Sequence, residues 1–367
     1  MAQHFLKSAR YRDLTVYDIS NMTEEESYWY FVVMRWGSKD KAICPHCGVV
    51  GKHYYRRTRK QWRCKHCDGY FSVTKGTVFE NKKLKFKQIL LGLMEFISVH
   101  YSVSKHELAA KMDVQIKTAH VFIGKIREVI YKFQPQIQLS GTVQIDGGHF
   151  GGRPRHGRVR RKHNPEDVAV HAEWMLTRKG KKPSMQPPAT GKANWLRRIK
   201  NRRVVMVLRE LYPEPRLGAC RTIVAVCNSE NERCAVALVE KYVKPGTFIM
   251  TDENAAYSSF ESLGKGYTHK TVEHAVEFST VDGINDNQAE SYFSRLRHYA
   301  LSVGKRIEPK YLADIATEMA WREDVRRNTL KEKMHFLLGG ALKHGLSIWW
   351  TGYWQGHHRR DEIAFSC

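Results

Sequence analysis

Asp146, Asp252 and Glu290 are acidic residues of the type that metal-assisted phosphate chemistry uses. Asp146 ends the alternating stretch Thr142-Val143-Gln144-Ile145, which has the period-2 pattern of a half-buried strand. Asp252 closes a second strand-like run, Thr247-Phe248-Ile249-Met250-Thr251. Glu290 stands near the start of a helical stretch from Asn285 to Tyr299, where Asn287, Glu290 and Arg297 lie on or near one face. Cleaving a phosphodiester needs an activated oxygen nucleophile and stabilisation of the departing oxyanion. Two divalent ions about 3.5–4 Å apart do both, and carboxylates are the ligands that hold Mg²⁺. Three carboxylates together repel one another, so a bound cation accounts for such a cluster. A lone strand-ending aspartate is more often a turn cap. A second aspartate at an equivalent strand edge, with a glutamate on a later helix, favours catalysis instead. Past Asp146 come the glycine pairs Gly147-Gly148 and Gly151-Gly152, which allow a sharp turn or close backbone approach to a ligand.

A different chemistry is written at Cys44-Pro45-His46-Cys47 and Cys64-Lys65-His66-Cys67. Two CxxC knuckles separated by sixteen residues have the spacing of a four-cysteine structural zinc site, with His46 and His66 exposed rather than ligating. The hairpin between them carries Arg56, Arg57, Arg59 and Lys60 among Tyr54, Tyr55 and Trp62, a mixture suited to DNA contact. A second basic run follows Asp146, with Arg153, Arg155, Arg160 and Arg161.

The totals agree with a polyanionic partner. The 367 residues carry a net charge of +24, more than a solvated surface alone requires, and nucleic acid is the leading explanation. Neither a membrane-spanning apolar run nor an apolar signal core between Met1 and Tyr30 is present, so a cytosolic protein is expected.

The expected elements position these residues as follows. An N-terminal helical segment over 1–40 holds an aromatic helix from Glu24 to Trp36 that packs on the next module. A zinc ribbon spans 41–80, and three helices fill 81–135. The second of these is capped by Ser104 and Glu107 and runs Lys105–Met112; the third runs from about Lys117 to Phe133 with Lys117, Thr118, His120 and Lys125 at or near its exposed side. This short helix, turn and polar-headed helix match a helix-turn-helix. An α/β catalytic domain covers 140–330, in the order β, basic loop, ββ, α, β, α, β, α, with a polar insertion at 164–201. A helical and aromatic tail, 331–367, is expected to dock or make a dimer contact.

Together these motifs resemble the zinc-ribbon, ISXO-like group of DDE-type insertion-sequence transposases over roughly residues 40–345. The resemblance rests on the two CxxC knuckles, Phe71-Ser72 with Gly76-Thr77-Val78-Phe79, Ile145-Asp146 with Gly151-Gly152, Thr251-Asp252-Glu253 with Tyr257, Asn287 to Phe293, and Trp321-Arg322 with Arg326-Arg327. It implies an RNase H-like mixed-sheet catalytic domain behind the ribbon and the helical module. It also implies two Mg²⁺ (or Mn²⁺) ions beside the structural Zn²⁺, with Asp146 and Asp252 as metal ligands. Glu290 or Asn287 would be third, with the carboxylate the better Mg²⁺ ligand. Implied partners are double-stranded DNA, as terminal inverted repeats and target, and further copies of the chain on that DNA, with no membrane. The implied setting is the nucleoid of a bacterial or archaeal cytoplasm. One departure matters: the group usually has an acid directly after the first aspartate, and here it is Gly147. The competing expectations are a decayed or domesticated DNA-binding protein that keeps the ribbon without catalysis, and a nuclease of the same fold that does not join ends.

Overall fold

The computed structural model describes residues 5–51, 53–151, 202–214, 217–272, 285, 287–303 and 307–358. The insertion expected over 164–201 and Arg153, Arg155, Arg160 and Arg161 lie outside the described residues.

Two helices come first, α1 (Val16–Asn21) and α2 (Glu24–Trp36), each opened by a capping box, Thr15 with Asp18 and Thr23 with Glu26. Each box satisfies amides that a helix start leaves open. α2 buries Tyr28, Phe31 and Trp36. Behind it lies a small antiparallel sheet of β1 (His53–Arg56), β2 (Gln61–Cys64) and β3 (Tyr70–Ser72). Trp62 meets Trp36 edge-on at 5.0 Å and stacks on Phe71 at 5.8 Å. The aromatic helix therefore packs on the ribbon, as its composition suggested.

Helices α3 (Phe86–Ser98), α4 (Lys105–Met112) and α5 (Ile116–Phe133) follow, and Ser104 and Glu107 cap α4 reciprocally. Asp113, left-handed at φ 53, ends α4 and starts the turn into α5. Arg127 and Glu128 are buried on α5, so this helix is enclosed through most of its length.

The second half of the chain builds one mixed sheet from β4 (Thr142–Gly151), β5 (Arg202–Leu211) and β6 (Ala219–Cys227), then, after α6 (Glu232–Tyr242), β7 (Phe248–Asp252) and β8 (Thr268–Val272). The strand order is β6-β5-β4-β7-β8; the β4–β5 and β5–β6 pairs are antiparallel and the β4–β7 and β7–β8 pairs parallel. Where the sequence order anticipated a helix between β7 and β8 there are two 3-10 turns, Ala255–Tyr257 and Glu261–Leu263. One sheet face, with Val143, Ile145 and Met206, packs on Leu238 and Val239 of α6. The other, with Val205, Val207 and Val224, packs on α7 (Asn287–Ser302) and α8 (Pro309–Asp324) through Tyr292, Phe293 and Ala316. The chain is thus α/β, with helices covering both sheet faces.

One expectation needs correction. β4 does not end at Asp146; it continues through both Gly147 and Gly148 to Gly151, paired with β5 throughout. Glycine weakens a strand but does not end it when a neighbour pairs with every residue, and Gly148 is needed here because a Cβ would lie 2.4 Å from the Phe293 ring. The C-terminal segment, expected to dock or make a dimer contact, packs on its own chain. α9 (Leu330–Lys343) and Trp321 share one core with the N-terminal helices and the ribbon.

α8 ends on a half-buried acid, Asp324, with a pH signature. Asp324 accepts from the Thr222 amide at 3.0 Å. Burial pushes its carboxyl up to about 7, against the lowering pull of that hydrogen bond and of Arg209. Between the ordinary aspartate range and about pH 7 the folded chain therefore holds a proton that the unfolded chain has released. Stability from this group is present at low pH and declines as pH rises through that window, by about 4 kcal/mol. Asp324→Asn keeps an acceptor for Thr222 and should raise the unfolding midpoint at pH 8 much more than at pH 4, the foot of that window. Parallel pH profiles of wild type and variant in thermal unfolding would refute this.

Candidate metal centre and nucleic-acid surface

Strand register brings the two aspartates together. In the parallel pair β4–β7, Val143 faces Ile249 and Gln144 faces Met250. Two residues further along each strand are Asp146 and Asp252, on the same side of the pleat as Gln144 and Met250. There β7 ends, while β4 runs on along β5 with Asp146 opposite Val207. The divergence opens a crevice at the carboxyl end of the parallel strands, the edge at which α/β sheets bind ligands. Both aspartates are half-buried. Asp146 accepts from the Gly147 amide at 2.6 Å, and Asp252 accepts from the Asn254 amide at 3.1 Å, so neither carboxylate swings freely.

The third carboxylate in the crevice is Glu230. One carboxylate oxygen from each of Asp146, Glu230 and Asp252 lies within 4.8 Å of the others. Glu230 stands in the turn between β6 and α6, just before the N-cap Asn231, whose side chain accepts from the Cys234 amide. Its Oε1 accepts from the Tyr257 hydroxyl at 2.7 Å and from Asn254 Nδ2 at 3.0 Å; His149 Nε2 is 3.8 Å from Oε2. Tyr257 is fully buried. Burial raises its phenol far above the ordinary range, and the charges of Glu230, Asp146 and Asp252 raise it further, so it remains a neutral donor. Read from sequence alone, Asn228–Val243 forms one amphipathic helix, which puts Glu230 in its first turn and hides its role. Asn231, a preferred N-cap type, was the signal that the helix starts later and that Glu230 belongs to a loop.

Glu290 is not among the three clustered carboxylates; it is exposed on the first turn of α7, as is Asn287. That turn is nonetheless tied to the same strand. Buried Gln144 donates to Asn285 Oδ1 at 2.9 Å and accepts from the Gln288 amide at 2.9 Å. Buried Arg209 on β5 donates to the Gln288 carbonyl at 2.5 Å.

The chemistry of the carboxylate set fits a hard divalent cation, which takes oxygen ligands. The four knuckle cysteines form a separate, softer site. Cys44 Sγ is 3.7 Å from Cys67 Sγ and Cys47 Sγ is 3.5 Å from Cys64 Sγ. A tetrahedral ion with Zn–S bonds of about 2.3 Å sets its sulfurs about 3.8 Å apart, so these four thiols form a potential zinc site. His46 and His66 are exposed and outside this group.

On the ribbon, Arg56, Arg57 and Arg59 are exposed at the β1–β2 tip, whereas Lys60 is turned inward over the Tyr28 ring, 5.2 Å from its centroid. Arg56 lies over Tyr70 and Lys65 over Tyr54, leaving a basic and aromatic face open to solvent. The third helix presents less than its polarity suggested. Gln115, Ile116 and Lys117 are exposed at its start, but Lys125 donates to the Val78 carbonyl, and His120 sits among Tyr311, Trp350, Tyr353 and Trp354. Those aromatics belong mostly to the C-terminal tail, which docks on its own chain. Trp350 lies on Gly124, where a Cβ would come within 2.0 Å of the indole, and Glu128 accepts from Ser347 Oγ and the Ile348 amide.

Comparison with known proteins agrees with this geometry. The match to a transposase zinc-ribbon domain covers residues 22–69. Part of the chain is 28% identical over 115 residues to an uncharacterized protein in transposable element ISH50 of Halobacterium salinarum; the match covers 31% of this chain and 37% of that protein. The ISXO2-like transposase domain matches residues 138–324, just over half of the 367 residues and the span that holds all three clustered carboxylates. The chain therefore belongs to the ISXO2-like transposase family.

Proposed function

We propose that this protein is a DNA transposase that binds the terminal inverted repeats of its element and performs divalent-metal-dependent cleavage and strand transfer. The observation that carries the reading is the convergence of Asp146 and Asp252 at the open end of the parallel β4–β7 pair, inside the matched transposase domain. The strand order β6-β5-β4-β7-β8, with its antiparallel half and its parallel half, supports an RNase H-like catalytic domain over about 140–330.

Mg²⁺ or Mn²⁺ would supply an activated water or 3′-hydroxyl and neutralise the charge developing on the leaving oxygen. Asp146 and Asp252 hold the metal, and their backbone hydrogen bonds keep both oxygens turned into the crevice. Asn287 and Glu290, on the α7 turn anchored by Gln144, flank the DNA or complete the ligand set once ends are bound. Zinc shapes the ribbon, whose exposed Arg56, Arg57 and Arg59 contact the phosphate backbone of the ends together with Lys60 and the exposed start of α5 in a helix-turn-helix-like role. Arg153, Arg155, Arg160 and Arg161, beyond the described residues, add to the same electrostatic footprint. Copies of the chain assemble on the paired ends, in the cytoplasm with the nucleoid. A domesticated protein that only binds DNA is the lesser reading, because the carboxylate cluster is retained.

The test is a plasmid assay with the element's own ends. Asp146→Ala and Asp252→Ala should each lower strand transfer by about 10³-fold or more, the scale of several kcal/mol of lost charge stabilisation, while end binding in a gel shift is kept. Unchanged transfer in both variants would refute the metal-site assignment.

A further inference from the structure

Gly147 looked like the weak point of the site when read as sequence, because a carboxylate is expected there. The structure places something else in that space. A Cβ built on Gly147 would lie 2.4 Å from Glu230 Cδ and 2.6 and 2.7 Å from its two carboxylate oxygens. Gly147 does not have a left-handed backbone, so conformation does not require glycine here. The carboxylate group of Glu230 occupies the volume where any side chain at 147 would start, so a side chain there would have to displace it.

We propose that Glu230 is a metal-ligating carboxylate of the Asp146–Asp252 centre, seated in space that Gly147 leaves open, so that the glycine and the glutamate work as a matched pair. The inference rests on the transposase reading of that centre. Three features support it. Glu230 reaches within 4.8 Å of both aspartates, oxygen to oxygen. Its position is set by two donors, Tyr257 and Asn254, from the turns that follow Asp252. Among the described residues, Tyr257 and Asn254 donate to Oε1, and His149 Nε2 lies 3.8 Å from Oε2. Tyr257 and Asn254 are then positioning residues. They act through Glu230, and they tie the turn after β6 to the turn after β7, so strand β4, the end of β7 and the β6–α6 turn deliver one ligand set.

The pairing makes an unusual demand on mutants. Gly147→Ala adds no charge and removes no ligand, yet its methyl group must displace Glu230. The experiment is Mn²⁺ titration of the zinc-loaded full chain, without DNA, with free Mn²⁺ read by electron paramagnetic resonance. Glu230→Gln and Gly147→Ala should each weaken Mn²⁺ binding about tenfold or more, a loss at least as large as that seen when a metal ligand's supporting partner is removed. The exchange variant Glu230→Gly with Gly147→Asp should recover most of it by returning a carboxylate to the vacated volume. Circular dichroism checks that each variant is folded; if Glu230→Gln is not, Gly147→Ala and the exchange variant decide. Loss of binding in Asp252→Asn but full affinity in Glu230→Gln, or in Gly147→Ala, would overturn the role of Glu230 alone. If wild type and Asp252→Asn bind Mn²⁺ equally, the metal centre itself fails, and with it the proposal.

Discussion

Stripping zinc from the full chain should unfold the ribbon while the mixed sheet persists. The small sheet of β1, β2 and β3 has four, four and three residues per strand, far too little to stand alone. With zinc in the four-cysteine site, its stability would come from that ion and from the aromatic contacts of Trp62 and Phe71 with Trp36. Structural zinc binding contributes roughly 10–16 kcal/mol of apparent free energy in small zinc modules, which exceeds the whole stability of most domains. Chelation, or Cys64→Ser, should therefore release Trp36 and Trp62 from their buried contact, shift tryptophan fluorescence to the red, and expose residues 43–72 to protease. Amide exchange in β4 to β8 should stay slow, because neither sheet face borrows apolar residues from the ribbon. An unchanged fluorescence spectrum and cleavage pattern after complete metal removal would disprove a structural role for zinc.

The second large effect is expected at Glu318. This fully buried carboxylate on α8 receives Arg127 Nε of α5 at 2.7 Å and Arg322 Nε at 2.9 Å. Arg322 in turn donates to the Val99 and Phe96 carbonyls at the end of α3, each at 2.7 Å. Burial alone would raise the Glu318 carboxyl; the guanidinium groups of Arg127 and Arg322 overcome it and hold the group below the usual glutamate range. Three helices thus meet on one acid. Glu318→Ala leaves two buried guanidinium groups without their counter-charge, and breaking such a network costs about 3–5 kcal/mol. Because α5 and α8 lie on opposite sides of this junction, chemical denaturation should change from one transition to two as the helical module loosens from the sheet. The control is Arg127→Met with Glu318→Leu and Arg322→Met, which removes every charge at once and should recover much of the loss. A Glu318→Ala variant with an unchanged single transition would show that packing alone joins the two halves.

Local pattern made much of this legible. The limits of α2 and α4, the capping box of Ser104 and Glu107, the strands around Asp146 and Asp252 and the four-cysteine site all follow from neighbours close in sequence. The two aspartates could be paired because each closes a strand, and strands of one sheet share an edge. Glu230 could not be found this way. Its place in the centre depends on the β6–α6 turn folding over Gly147, a contact between loops distant in sequence. The path of the tail was hidden for the same reason: nothing around Trp350 says that its indole lies on Gly124. The strand continuing through Gly147 and Gly148 shows tertiary pairing outweighing local propensity.

The shared core of the N-terminal half has a consequence for how the protein is made. Leu14, Phe31, Leu93 and Ile126 are buried in the same cluster as Trp321, Met334, Leu337 and Leu338. A ribosome delivers the first group long before the second, at about 5–20 residues each second, so the nascent helical module waits with an unfilled cavity while the sheet is synthesised. Completion of the N-terminal half is thereby tied to arrival of the last helices. A ribosome that stops early releases a chain with its carboxylate ligands already made but its N-terminal half unable to close.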